Sequence, residues 1–335
     1  MKAFVHFQVN PKNDDFEGAR LRKTIKSALE MNNIPYTDTL MDDFDVAHFM
    51  YIEDESVIEE LKERHIPIIV SALYCENDPH ASYLDYKVKK GERSCSIKSK
   101  AIKFLEKVDL ILVPNEASKA ILEEAGIKTR MEVCQLGVNF TRFDFSRDDE
   151  KDIFYRYFSC DKDKTIVVSV GNEYLEGLSS TVKAANEFKD VNFYYFYKRE
   201  HGVRLSKEDQ KILTNLPRNV FLTKLIPDDV YRSALINADV YLSLGYKPAG
   251  VITILEAMAA KCQLIVRDQE LLKDIAVDQE TAYVASYSET LVDLIKDYLS
   301  GELKPTIEKA YKVARKNDIS AFGKKLNAIY QGLLK

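Results

Sequence analysis

Two stretches of this sequence carry residue types that could do chemistry. Gly250, Val251, Ile252 and Thr253 stand where a loop would open a helical pattern over 252–260. A loop that opens a helix presents backbone N–H groups and the positive end of the helix dipole, which suits a phosphate group. Gly250 would let the backbone approach such a group closely. The second stretch is basic. From Lys87 to Lys107 there are eight basic residues and two acidic ones, a local charge of +6 in a chain of net charge −5, so the remainder carries −11. Tyr83 and Tyr86 lie beside Lys87, Lys89 and Lys90. Aromatic residues next to lysines suit the headgroup layer of an anionic membrane, where each basic residue contributes about 1 kcal/mol. The helical pattern that follows places Ile97, Ala101, Phe104, Leu105 and Val108 on one face, with Lys100, Lys103 and Lys107 on its flank. That helix reads equally well as a core-packed element with a solvated lysine side.

Other chemistries find little support. The five cysteines (Cys75, Cys95, Cys134, Cys160, Cys262) are scattered, form no C-x-x-C pair and do not cluster with the histidines. They read as free thiols in a reducing compartment, with no structural zinc site. The acidic balance argues against nucleic acid as the main partner. No apolar run reaches the roughly 18 residues of a membrane span. The opening residues alternate like a strand and lack a signal-peptide core. A cytoplasmic protein is expected.

The elements that must position these residues follow a regular order. Apolar runs at 3–9, 46–51, 67–71, 110–113 and 131–135 read as strands, with helical patterns between them, as at 18–31 and 56–64. Strands alternating with helices imply βαβ units and a parallel sheet. Residues 147–164 are charged and poorly periodic, and the domain boundary is placed there. The alternation restarts with strands at 165–170, 191–197, 220–222, 240–244, 263–266 and 282–284, and helices at 179–188, 228–236, 252–260 and 288–299. An α/β protein of two Rossmann-like domains is expected. Residues 1–150 form the first and 151–335 the second, the last helix being free to cross back to the first. Ligands of such sheets sit outside the carboxyl ends of the strands.

Two motif sets give a family resemblance. Ala238, Asp239 and Val240, then Gly250, then Leu255, Glu256, Ala257, Met258 and Ala259, then Leu264, Ile265 and Val266, resemble the donor-site signature of family-4 retaining glycosyltransferases. Asp109 to Asn115, Gly126 with Ile127, Gly137 to Asn139, and Arg142 with Phe143 resemble that family's N-terminal signature. The resemblance covers nearly the whole chain and implies the GT-B fold, two parallel-sheet domains facing a cleft. It also implies a nucleotide-sugar donor and no bound metal or cofactor. Gly171, Asn172, Gly250, Val251, Ile252 and Thr253 then fall at the donor site. Glu256 takes the place of the residue that accepts hydrogen bonds from the ribose hydroxyls; read alone, it is a surface Glu on a packed helix.

The chain departs from the family pattern at three places. Pro248 stands where a first motif Glu contacts the donor sugar. Asn172 and Glu176 stand at or near the positions of an Arg and a Lys that hold the diphosphate. Lys198 and Arg199, or else Lys224 or Lys247, are candidates to replace that charge. A His common after the strand at 67–71 is absent there, leaving Glu76, Asp78 and His80 as acceptor-side candidates; Asp78 followed by Pro79 also reads as a capped turn.

The short length resembles the small members of the family that extend glucosyl-diacylglycerol glycolipids. The expected function is retaining transfer of a hexose from a UDP-sugar to a membrane glycolipid by a protein peripheral on the inner face of the cell membrane, contacting it through Tyr83, Tyr86, Lys87, Lys89 and Lys90. Two alternatives stand beside it. One is a degenerate member acting as partner to an active glycosyltransferase. The other is a soluble enzyme acting on protein or polysaccharide.

Overall fold

Runs such as Leu110 to Val113 are apolar at every position, and all four side chains are buried. A strand without polar alternation needs cover on both faces, which is the condition of a parallel sheet flanked by helices. The computed structural model builds two such sheets. It describes residues 1–335 except 7–15, 51–54, 73–83, 90–91, 144–147, 172–174, 198–204, 206, 225, 246–250 and 270–271.

The first part of the chain runs β1 (Ala3–His6), α1 (Phe16–Met31), β2 (Tyr36–Thr37), β3 (Val46–Phe49), α2 (Glu55–Glu63) and β4 (Ile68–Ser71). It continues through β5 (Leu84–Lys89), β6 (Glu92–Ile97), α3 (Ser99–Leu105), β7 (Leu110–Val113), α4 (Glu116–Glu124) and β8 (Met131–Val133). Six strands join in the order β2-β1-β3-β4-β7-β8, all parallel. Phe4, Phe49, Ile68, Val70, Leu105 and Ile111 are core side chains of this sheet and its helices.

The second part starts with a 3-10 turn at Phe140–Phe143, then α5 (Asp148–Phe158), β9 (Ile166–Gly171), α6 (Leu178–Glu187), β10 (Asn192–Tyr197), α7 (Lys207–Thr214) and β11 (Val220–Lys224). There follow α8 (Asp228–Asn237), β12 (Val240–Ser243), α9 (Val251–Ala259), β13 (Gln263–Arg267), β14 (Tyr283–Ala285), α10 (Ser288–Ser300), α11 (Ile307–Lys316) and α12 (Ile319–Leu333). Its sheet runs β11-β10-β9-β12-β13-β14, again parallel. Counted within this half, the order is 3-2-1-4-5-6, which reverses direction between β9 and β12 and opens a crevice at their carboxyl ends.

The chain divides into two units. One comprises Met1–Gly137 with Asn317–Lys335, the other Val138–Lys316. α12 therefore belongs with the first sheet. It packs on α1 and buries Ile319, Phe322, Leu326, Ile329 and Tyr330. Gly137 makes room for it: a Cβ there would lie 2.8 Å from Ile319 Cα and 2.9 Å from Phe322 Cβ. Residue 150 falls inside α5, which packs on α8. The Phe154 amide donates to Ser233 Oγ at 3.0 Å, and Asn237 donates to the Lys151 carbonyl at 2.8 Å. The segment read as aperiodic is thus a helix of the second unit.

Candidate functional site

The crevice between the ends of β9 and β12 lies in the second unit. β9 ends at Gly171, and Tyr195 of the adjacent β10 lies directly over it. A Cβ at Gly171 would fall inside the Tyr195 hydroxyl and ring edge. The ring is buried, and its hydroxyl donates to the Glu176 carbonyl at 2.7 Å. That bond reaches into the connection that leads to α6. Two residues of this connection take the left-handed backbone region, Leu175 at φ 56° and Gly177 at φ 83°. For a branched residue such as Leu175 that conformation is strained, and strain of this kind persists only where the surroundings enforce it.

On the other side, the exit of β12 is held by side chains from the end of β13. Arg267 donates through Nε to the Leu244 carbonyl at 2.8 Å, and Gln269 donates to the Gly245 carbonyl. Helix α9 follows. Ile252 and Thr253 are buried near its start, and Glu256 is buried with them, its side chain 3% exposed. Sequence alone allowed a surface Glu; here the whole helix face is covered, and the carboxylate needs a partner. Arg142 supplies one, Nη1 lying 3.2 Å from Glu256 Oε1, while Nη2 lies 2.5 Å from Asp228 Oδ1 at the start of α8.

In the first unit, His48 of β3 is fully buried between Tyr330 of α12 and Ser71 of β4, with ring nitrogens 2.7 Å from the Tyr330 hydroxyl and 2.8 Å from Ser71 Oγ. Burial lowers its pKa to about 3. The ring is therefore neutral across the physiological range, and its role is to tie α12 to the sheet. A cavity of about 300 Å³ lies between α2 and α3, lined by Glu55, Ile58, Lys100, Lys103, Phe104 and Lys107. Lys107 pairs with Glu55 across it. Ala101, Phe104 and Leu105 turn into the core while Lys100 and Lys103 are exposed. Among the described residues no cluster of His, Cys, Asp or Glu could hold a metal, and no helix is long and apolar enough to cross a membrane.

Residues 156–317, nearly all of the second unit, match the family model of the glycosyl transferases group 1. The chain is a glycosyltransferase. A processive diacylglycerol alpha-glucosyltransferase of Acholeplasma laidlawii is 23% identical over 321 residues, 92% of this chain and 92% of that protein. A solved glycosyltransferase of Rickettsia africae ESF-5 superposes with a TM-score of 0.71 at 13% identity, covering 100% of this chain and 98% of that one. HepE of Anabaena, solved in complex with UDP-glucose, gives 0.73 at 11% identity, covering 99% and 100%. The fold is GT-B.

The glycosyltransferase places the sequence-based candidates unevenly. Gly171 and Glu256 both belong to its second unit, and Ile252 and Thr253 open α9, as does Val251. Lys224 closes β11 as an exposed residue. Asn172, Lys198, Arg199, Lys247 and Gly250 lie outside the described residues, as do Glu76, Asp78, His80, Tyr83 and Lys90. Tyr86, Lys87 and Lys89, three of the membrane-contact candidates, belong to β5. That strand pairs antiparallel with β6 in the register Lys87↔Ser94 and Lys89↔Glu92. Sequence reasoning also missed the Arg142–Glu256 contact. Both residues stood in the motifs, yet they are 114 positions apart, and nothing local links them.

Proposed function

We propose that the enzyme moves a hexose from a UDP-sugar to a membrane glycolipid such as glucosyl-diacylglycerol, with retention of configuration. The observation that carries this reading is the likeness, over 92% of both chains, to a diacylglycerol alpha-glucosyltransferase. The UDP-glucose held by a GT-B neighbour supports the donor class. Residues 151–335 bind the donor and residues 1–150 the acceptor, with α12 returning to the acceptor side. At the β9–β12 crevice Glu256 accepts from the ribose hydroxyls, while Gly250, Val251, Ile252 and Thr253 bring backbone N–H groups to the diphosphate. Gly171 and Asn172 also take part in donor binding. Glu76, Asp78 and His80 contact the acceptor. No metal or cofactor is assigned a role.

In the reaction the bond from the anomeric carbon to the diphosphate oxygen breaks. The acceptor oxygen bonds to the same face of that carbon, and its proton passes to the departing diphosphate. Protein charge then matters most at the leaving group. With Asn172 and Glu176 at the cation positions, Lys198, Arg199, Lys224 or Lys247 supplies it. The protein works at the inner face of the cell membrane, held by Tyr83, Tyr86, Lys87, Lys89 and Lys90.

The test is incubation with radiolabelled UDP-glucose or UDP-galactose and a lipid extract, followed by product analysis. A labelled glycolipid is expected, and label appearing only in protein or polysaccharide would refute the acceptor. A second reading rests on Pro248, Asn172 and Glu176: a degenerate subunit that supports an active glycosyltransferase. Alanine at each of the four cations in turn separates the two, since one variant should lose most of its turnover. Four near-neutral variants would favour the subunit.

A further inference from the structure

The Glu256 carboxylate is buried on α9. A carboxylate accepts hydrogen bonds at both oxygens. Two adjacent ribose hydroxyls need acceptors. The site therefore works only if something nearby keeps the carboxylate aimed.

Arg142 is built to do that. Its side chain is 15% exposed, and its guanidinium divides between two helices, with Nη1 on Glu256 of α9 and Nη2 on Asp228 of α8. The fork is split between two carboxylates, and one arm reaches Glu256 Oε1. The backbone beneath is fixed as well. Asn139 Oδ1 accepts from the Thr141 amide at 3.1 Å and from its hydroxyl at 2.6 Å. The Arg142 carbonyl accepts from Arg232 Nη1 at 3.3 Å, and Arg232 is itself paired with Glu150 at 2.6 Å. Phe143 anchors the turn in the core.

We propose that Arg142 is a positioning residue for donor binding, which sets the orientation of Glu256 toward the ribose without touching the donor itself. This rests on the reading that Glu256 binds the ribose.

The test compares the affinities of UDP and 2′-deoxy-UDP by calorimetry, because the ratio reports the hydroxyl contact and a general loss of stability leaves it unmoved. Wild type should favour UDP by about 10-fold or more, the range of a hydrogen bond to a charged group. Glu256→Gln should bring the ratio near unity. Arg142→Gln should do the same, and the double variant should fall no further than either single one. Arg142→Lys keeps the charge but cannot span both carboxylates, and it should lie between. A wild-type ratio in Arg142→Gln, with the ratio lost in Glu256→Gln, overturns the positioning role and leaves the ribose reading standing. No discrimination by wild type, or none lost in Glu256→Gln, overturns the ribose reading and the positioning role with it. Should Arg142→Gln fail to fold, Arg142→Lys decides, and an unchanged ratio in it refutes the proposal.

Discussion

Gly171→Ala puts one methyl group where the Tyr195 hydroxyl and ring edge already sit. Tyr195 is 1% exposed, so the ring has no open space to enter. Two costs follow. Forcing a methyl into a packed core costs about 1–3 kcal/mol. Moving the ring breaks its 2.7 Å bond to the Glu176 carbonyl, a net loss of about 1 kcal/mol. The sum is about 2–4 kcal/mol, or a fall in melting temperature of roughly 4–15 °C for a unit of this size. The chain has no Trp, so tyrosine fluorescence or circular dichroism during urea and thermal unfolding is the suitable probe. Tyr195→Phe is the control: it removes the hydroxyl bond alone and should cost about 1 kcal/mol. Tyr195→Leu combined with Gly171→Ala relieves the clash, so the pair should cost less than the sum of the single changes. A Gly171→Ala variant no less stable than Tyr195→Phe, or strict additivity in the double variant, would refute the reasoning.

Three further outcomes are expected. His48 has its folded pKa depressed to about 3 from an ordinary 6.5, so the unfolded chain binds its proton first as pH falls. Stability due to this group is complete above pH 6.5 and declines by up to about 1.4 kcal/mol per pH unit toward 3; in His48→Asn that part of the slope should vanish, and equal slopes would contradict the assignment. The two Nδ2 hydrogens of Asn219 are shared among the carbonyls of Ala185, Phe188 and Val191 at 3.1, 2.9 and 2.9 Å, so Asn219→Ala should cost about 2 kcal/mol in urea unfolding, and a loss under about 0.5 would be inconsistent with those bonds. Changing Lys87, Lys89 and Lys90 together to Glu should abolish co-sedimentation with anionic vesicles while leaving the melting temperature nearly unchanged; wild-type binding that ignores lipid charge or salt would rule out electrostatic attachment.

Much of the fold was legible because parallel sheets need continuous apolar runs. The run at 110–113 matches β7 to the residue, and those at 240–244 and 263–266 match β12 and β13 within one residue. The β5–β6 hairpin was not legible, because its lysines and serines break the apolar signal that marks a strand. α5 was hidden for a related reason. Its first turn is acidic, and its apolar side is aromatic: Phe154 packs on Tyr194 at 4.8 Å. At the site, the glycines and Glu256 were readable as motif. The contacts that give them a physical setting were not, because Arg142 reaches Glu256, and His48 reaches Tyr330, only through tertiary packing.

The return of α12 to the first unit has a consequence for how this protein is made. On the ribosome, the six-stranded sheet of the first unit emerges long before the helix that closes it, with all of Val138–Lys316 synthesised in between. At about 5–20 residues per second that gap lasts on the order of ten seconds. Throughout it, the α1 surface that receives α12 lacks its cover, and His48 waits for the Tyr330 hydroxyl. The second unit, continuous in sequence, can reach its native contacts first. The first unit to be synthesised is thus the last to be finished, and during that interval it is the part of the nascent chain most in need of shielding.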